Sequence, residues 1–145
     1  MTTLDDVAAL GAKEQGLAVI STSRADGSIQ SSLVNVGVLA HPTTAEPSLA
    51  FVTYGPVKLA NLRARPLMSA TVRSGWQYAT VEGPAELIGP DDRHPSIDAE
   101  RLRVLLREVF LAAGGTHDNW HEYDRVMAEQ GRTAVLVAPT RIYGS

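Results

Sequence analysis

Two basic side chains and one amide side chain occur at helical spacing within one short segment, residues 53–66. At 100° per residue, Lys58, Asn61 and Arg65 lie within about 60° of one another around a helix axis. Such a stripe can bind an anion, and the unpaired N–H groups of a helix N-terminus add donors for phosphate. The same spacing also occurs on the solvated face of an ordinary surface helix. The pattern by itself leaves both interpretations open.

The sequence lacks the residues that several other kinds of binding or catalytic site require. The chain has no cysteine, which excludes disulfides, iron–sulfur clusters, thiolate zinc sites and a cysteine nucleophile. His117 and His121 are four residues apart, but no third ligand is spaced to complete a metal site, so we predict no metal. Because acid–base pairs, a hydrolase elbow and a Rossmann fingerprint are also missing, no catalytic residue is assigned.

Strand signals surround the helix that would carry the stripe. Pro56 suits the first turn of a helix over Val57–Arg65, and Pro66 ends it. The N-terminus of this helix should therefore meet the rim of a sheet. The strands predicted around it are Ser48–Thr53, Leu67–Val72 and Trp76–Ile88.

The rest of the chain also alternates short helices with strands. An Asp-Gly turn within Arg24–Ser28 should join two β-branched segments into a hairpin. Hairpins with few intervening helices favour a mainly β, antiparallel barrel over a parallel sheet, and we predict one domain over residues 1–145. The remaining predicted strands are Leu17–Thr22, Ile29–Ala40 and Thr133–Tyr143. The remaining helices are a capped one that ends by Gly16, then Ile97–Ala113, and Asn119–Gln130 with Asp118 as its cap.

The composition narrows the possible partners. Apolar residues make up 44% and charged residues 20% of the chain, values that are typical of a folded globular protein. A net charge of −3 offers no broad basic surface, so we expect no nucleic-acid partner. No apolar stretch approaches the roughly 18 residues of a membrane span, and the N-terminal residues do not have the pattern of a secretion signal. We expect a cytoplasmic protein without membrane contact.

Five segments have the order and spacing of a known family. They are Lys58-x-x-Asn61-Leu62-x-x-x-Pro66, the strand Leu67–Val72, Gly75-Trp76-Gln77-Tyr78-Ala79-Thr80-Val81-Glu82-Gly83, Asp118-Asn119-Trp120-His121-Glu122-Tyr123, and Pro139-Thr140-Arg141-Ile142-Tyr143-Gly144. Through them the chain resembles, over nearly its whole length, the actinobacterial split-barrel flavin/deazaflavin oxidoreductases, which are relatives of pyridoxamine 5′-phosphate oxidase.

The resemblance implies an FMN-binding-like, antiparallel split β-barrel that forms a homodimer with two cofactor sites at the subunit interface. Many relatives use the deazaflavin coenzyme F-420 and others use FMN. The family pattern implies that Lys58 holds the cofactor phosphate, with help from Asn61 and Thr53. The chain departs from it at Pro56, where many relatives have an arginine that also contacts the phosphate.

Two strands would hold the cofactor ring in such a protein. The ring would lie along the backbone of Ser32, Val34 and Asn35 and against the strand that contains Ser69 and Thr71.

Five further residues are candidates for the same site. Gln77 and Tyr78 either line the pocket with Thr80 or are ordinary strand residues. Trp120 is either a core or dimer-contact residue or reaches the partner's cofactor, which Arg141 could also reach.

The chemistry expected from the resemblance is hydride transfer from the reduced deazaflavin to a conjugated small molecule, such as an enone, a quinone or a linear tetrapyrrole. The protein would align the ring with its substrate and exclude water. A second hypothesis is a non-catalytic carrier of deazaflavin, flavin or haem, and a third is an FMN-dependent oxidase.

Overall fold

The structure is a computed structural model that describes residues 2–145. Its helices are α1 (Leu4–Ala12), α2 (Pro56–Ala64), α3 (Ala99–Ala112) and α4 (Trp120–Glu129). Its strands are β1 (Leu17–Ser23), β2 (Ile29–Asn35), β3 (Gly37–Ala40), β4 (Pro47–Thr53), β5 (Leu67–Ser74), β6 (Gln77–Ile88), β7 (Thr133–Val137) and β8 (Arg141–Gly144). Within these residues, no helix is both long enough and apolar enough to span a bilayer.

Every pair of named strands is antiparallel, so the predicted mainly β, antiparallel class is confirmed. The strand order is β2-β1-β5-β6-β7-β4-β3, and β8 pairs with residues 79–82 of β6. The first part of β6, residues 77–84, pairs with β5, whereas Ala85–Ile88 pairs with β7. Strand β6 thus joins a first sheet (β2-β1-β5-β6-β8) to a second sheet (β6-β7-β4-β3).

The strand predicted over Ile29–Ala40 is in fact two strands, a correction to the sequence analysis. Strand β2 pairs with β1 in the first sheet, and β3 pairs with β4 in the second. The change of sheet falls at Val36 and Gly37, where α3 crosses closely. A Cβ on Gly37 would lie 2.3 Å from the carbonyl carbon of Ala112, so this crossing needs a glycine.

The strand predicted over Thr133–Tyr143 is also divided, because its two halves pair in different sheets. Strand β7 is buried between β4 and β6, whereas β8 pairs with the other half of β6 in the first sheet. The turn that contains Pro139 carries the chain from one sheet to the other. A smaller correction concerns α4, whose N-cap is Asn119 rather than Asp118, since the Asn119 side chain accepts the Glu122 N–H.

Two hydrophobic clusters lie on opposite sides of the second sheet. Leu49 and Phe51 of β4 point into the barrel, where α1 and α2 cover the core. Ala50 of the same strand points outward, beneath Leu105 and Val109 of α3. Because side chains alternate along a strand, β4 and β7 are covered on both faces and read as continuous apolar runs.

One face of the first sheet, here called the outer face, is exposed at its β2–β1 end, whereas Thr80 near its centre is only 6% exposed. In register across it lie Leu33, Val19, Thr71, Thr80 and Tyr143. Val19 is 48% exposed and Leu33 is 60% exposed, although both are apolar strand residues. Their neighbours on the alternate positions, such as Ile20, are fully buried.

Candidate functional site

The turn that leads into α2 positions Lys58 at the rim of the barrel. Thr53 is the last residue of β4, and its hydroxyl accepts the Gly55 N–H at 3.1 Å. Gly55 is the N-cap and Pro56 the first helical residue, as the sequence predicted for the start of this helix. A Cβ on Gly55 would lie 3.2 Å from Cε of Lys58, so the lysine side chain folds back over the helix N-terminus.

Lys58 faces a cavity of about 470 Å³ between β2, β4, α3 and α4. The walls are mostly apolar, and no Asp or Glu is among the described residues that line them. Burial, with Arg132 as a secondary cause, lowers the pKa of Lys58 below its ordinary value. The lining residues include Leu33, Val34, Asn35, Thr53, Tyr54, Phe110, Tyr123, Met127 and Arg132.

A second cation, Arg132, lines the same cavity, and sequence reasoning missed it. Its guanidinium lies 4.0 Å from the ring centroid of Tyr54, a cation–π contact. Thr53 and Thr133 are the last register pair of β4 and β7, so Tyr54 and Arg132 are the next positions on the two strands. That pairing joins residues 80 positions apart in the chain, and no local motif signals it.

The other two members of the helical stripe point elsewhere. Asn61 is 7% exposed, and its Nδ2 donates to the Thr22 hydroxyl of β1 at 3.0 Å. Arg65 donates from Nε to the Ser23 carbonyl at 2.8 Å and from a terminal nitrogen to Asn61 Oδ1 at 3.3 Å. The structure therefore places both side chains in a polar link between α2 and β1, outside the cavity that Lys58 lines.

Of the β2 candidates, Val34 and Asn35 line the cavity. Asn35 donates from Nδ2 to the Gln15 carbonyl at 2.9 Å, which ties β2 to the segment after α1. The Ser32 hydroxyl is buried and has no hydrogen-bond partner within residues 2–145. Four of the sequence-predicted residues thus surround one cavity, namely Thr53, Lys58, Val34 and Asn35.

Comparison with known proteins identifies the architecture. No family model matches the sequence. A conserved hypothetical protein from Mycobacterium tuberculosis is similar with a TM-score of 0.69 at 17% identity, over 99% of this chain and 84% of that chain. A pyridoxamine 5′-phosphate oxidase-related, FMN-binding protein from Nostoc punctiforme is similar with a TM-score of 0.59 at 13% identity, over 90% and 74% of the two chains. The chain has the split-barrel fold.

A third solved split barrel, described as an F-420 reductase, has a TM-score of 0.58 to this chain at 19% identity. The similarity covers 88% of each chain. At these identities the likeness concerns the fold.

The outer face of the split barrel carries a second group of candidates. Ser69, Thr71, Tyr78 and Arg141 lie on it, none of them in the Lys58 cavity. The Thr71 and Thr80 hydroxyls are hydrogen-bonded at 2.8 Å. Leu33 and Asn35 belong to the outer face and also line the cavity, so the two regions meet at the edge of β2.

Trp120 and Gln77 lie apart from both groups. Trp120 packs edge-to-face on Phe110 and Tyr123, two residues of the cavity wall, and the Arg107 guanidinium lies 5.2 Å from the centroid of the Trp120 ring. Gln77 is exposed at the hairpin end of β6. Trp120 therefore packs against the cavity wall without lining the cavity itself.

A larger cavity, of about 1030 Å³, lies on the other side of α4. In this cavity Arg103 pairs with Asp124 at 2.9 Å and also with Glu100, whereas Arg93 and Arg132 line it without an ion pair within residues 2–145. Tyr123, Met127 and Arg132 line both cavities. The Tyr123 hydroxyl donates to the Leu106 carbonyl at 3.0 Å. Burial raises the pKa of Tyr123 to about 12, so this phenol stays neutral near pH 7.

The residues of the smaller cavity fit the phosphate end of a redox cofactor. They supply positive charge and a helix N-terminus, with apolar walls and no competing carboxylate among the described lining residues. The region where Leu33 and Asn35 join the cavity to the outer face offers a strand backbone and an apolar surface for a ring.

Proposed function

We propose that this split barrel binds the deazaflavin coenzyme F-420 and transfers a hydride from it to a conjugated small molecule. The observation that carries the proposal is the half-buried Lys58 facing a largely apolar cavity that opens beside β2. The F-420 reductase among the similar structures supports the choice of cofactor.

In this proposal each part of the site has a separate task. Lys58 and the N-terminus of α2 bind the phosphate, while the edge of β2 at Val34 and Asn35 orients the ring. When bound, reduced F-420 would supply the hydride and be oxidised, and a proton from water would complete the two-electron reduction of an enone, quinone or tetrapyrrole. The apolar walls exclude other water from the reacting atoms.

A homodimer is part of the proposal because the outer face needs a partner. Exposed apolar residues on it, among them Val19 and Leu33, are continuous with the cavity edge. A second copy seated there would bury them and would bring Ser69, Thr71 and Arg141 towards the cofactor. The site would then be completed by both subunits.

FMN is the second candidate cofactor, supported by the FMN-binding protein among the similar structures. Absorbance titration of the purified protein with F-420 and with FMN separates the two possibilities. We expect F-420 to bind with a spectral shift and a dissociation constant at least tenfold below that of FMN. Tight binding of FMN without binding of F-420 would refute the deazaflavin proposal and favour an FMN-dependent oxidase.

A carrier and a reductase bind cofactor alike and differ in turnover. Stopped-flow reoxidation of bound, reduced F-420 should accelerate when a panel of enones and quinones is added. If no acceptor accelerates reoxidation, the protein is better described as a carrier of deazaflavin, flavin or haem.

Lys58→Ala tests the phosphate contact directly. We expect the variant to fold and to bind F-420 more weakly by about 1.5–3 kcal/mol, the contribution of a charge-assisted contact. Lys13→Ala is the matched control, because Lys13 is exposed at the end of α1. Unchanged affinity in Lys58→Ala would remove Lys58 from the site.

A further inference from the structure

Arg132 is half-buried, has no acidic partner and donates a single side-chain hydrogen bond within residues 2–145. Arg65 also lacks an acidic partner, but its guanidinium donates to the Ser23 carbonyl and to Asn61. Arg63, Arg103 and Arg125 each pair with at least one carboxylate. Arg132 donates from Nε only to the side-chain oxygen of Gln130, at 2.8 Å. Its two terminal nitrogens donate no hydrogen bond within residues 2–145.

The backbone holds Arg132 in a fixed position at the cavity. Gly131 ends α4 with a φ of 59°, a left-handed conformation that favours glycine. The Arg132 N–H then donates to the Met127 carbonyl at 3.1 Å, and Thr133 begins the buried strand β7. Both ends of the residue are thereby anchored.

Tyr54 makes a cation–π contact with the Arg132 guanidinium. The guanidinium carbon lies over the ring, 4.0 Å from its centroid, while Nε donates to Gln130. Lys58 lines the same cavity, and the charge of Arg132 contributes to the lowered pKa of Lys58. Two half-buried cations that line one cavity are unfavourable unless an anion joins them.

We propose that Arg132 and Lys58 form a two-cation clamp for a single phosphate group, that of the cofactor. The inference rests on the proposed function for the identity of the cofactor, and it adds Arg132 as a binding residue. The planar guanidinium can donate two parallel hydrogen bonds to phosphate oxygens, while the ammonium of Lys58 contributes a point charge. The side chain of Pro56 has no polar group and cannot provide such a contact.

The experiment compares cofactors with and without phosphate in wild type and Arg132→Gln. The ligand pairs are FMN with riboflavin, and F-420 with its phosphate-free chromophore. In wild type the phosphate should improve affinity strongly, and Arg132→Gln should reduce that improvement by about ten- to a hundredfold. The affinity for the phosphate-free ligand should change less than about threefold.

Two further variants keep the result interpretable. Arg132→Lys retains the charge and should recover part of the phosphate preference, though not the bidentate geometry. Arg125→Gln is the matched control, since Arg125 pairs with Glu122 and Glu129 on α4 and does not line the cavity. It should leave both affinities unchanged, and thermal unfolding checks that all three variants fold.

The outcomes separate this inference from the proposed function. If Arg132→Gln weakens both members of a ligand pair equally, or neither, Arg132 is not a phosphate ligand. If wild type binds neither F-420 nor FMN, the proposed function is wrong. The clamp is then tested separately, by measuring the binding of phenyl phosphate. Its binding must then be weakened by Arg132→Gln and not by Arg125→Gln.

Discussion

Lys58 places a positive charge where the protein without cofactor has nothing to neutralise it among the described residues. Burial lowers its pKa in the folded state, with Arg132 contributing. Above that pKa and up to the ordinary value of about 10.4, the unfolded chain binds more protons at Lys58 than the folded chain does. This residue therefore costs stability at neutral pH, and the cost shrinks as pH rises through that window.

Lys58→Met should stabilise the cofactor-free protein at about pH 7, because it keeps the apolar stem and removes the desolvated charge. We expect a higher melting temperature, with each kcal/mol worth about 2–4 °C at this size. The advantage should shrink towards about pH 10, where wild type loses the charge more easily. Thermal unfolding by circular dichroism at both pH values, with Lys13→Met as control, measures this. A less stable variant at neutral pH would contradict the argument.

At the scale of elements, Asn61 anchors α2 to β1. Asn61→Ala removes the donor to Thr22 and the acceptor of Arg65 in a buried setting. Unpaired buried polar groups cost about 1–3 kcal/mol, and urea unfolding should show a loss of that size. FMN and F-420 should bind the folded variant almost as well as they bind wild type. Full stability with lost binding would instead restore Asn61 as a cofactor ligand.

The crossing of α3 over the start of β3 depends on Gly37. Gly37→Ala puts a Cβ into the backbone of Ala112, where no flexible side chain can move aside. We expect a loss of about 1–3 kcal/mol in the free energy of unfolding, since helix and strand must separate. Gly11→Ala is the matched control. Gly11 lies in α1 with its nearest neighbour at 3.4 Å, so that change should be neutral or stabilising by about 0.5–1 kcal/mol.

At the scale of the whole molecule, the outer face decides the assembly. If a second copy covers it, Val19→Glu should convert a dimer to a monomer and weaken cofactor binding at least tenfold. Light scattering and the F-420 titration measure the two effects. Leu111→Glu is the matched control, because Leu111 is 52% exposed on α3, away from the outer face. A wild-type monomer that binds F-420 tightly would contradict the shared site.

Much of the local structure was predictable from the sequence because its signals are local. Pro56 marked the start of α2, the Asp-Gly turn marked the first hairpin, and the amphipathic stripe of α3 was visible in the spacing of its leucines. The position of Lys58 at the rim followed from the order of strand, helix and strand. The predictions failed where one predicted strand is divided between two sheets, at Val36 and again near Pro139, because the pairing partner of each half is distant in the chain.

The sequence by itself indicated the helices, the first hairpin and the antiparallel class, since propensity, capping and alternation act over a few residues. Lys58 was singled out by its helical spacing together with the family resemblance. Only the tertiary structure decided which polar residues share a site. Strand pairing between β4 and β7 brought Arg132 beside Tyr54 and Lys58, and packing against β1 turned Asn61 and Arg65 away from them. The reason is physical: helical spacing places residues on one face, but the neighbour of each side chain depends on strands that are distant in the chain.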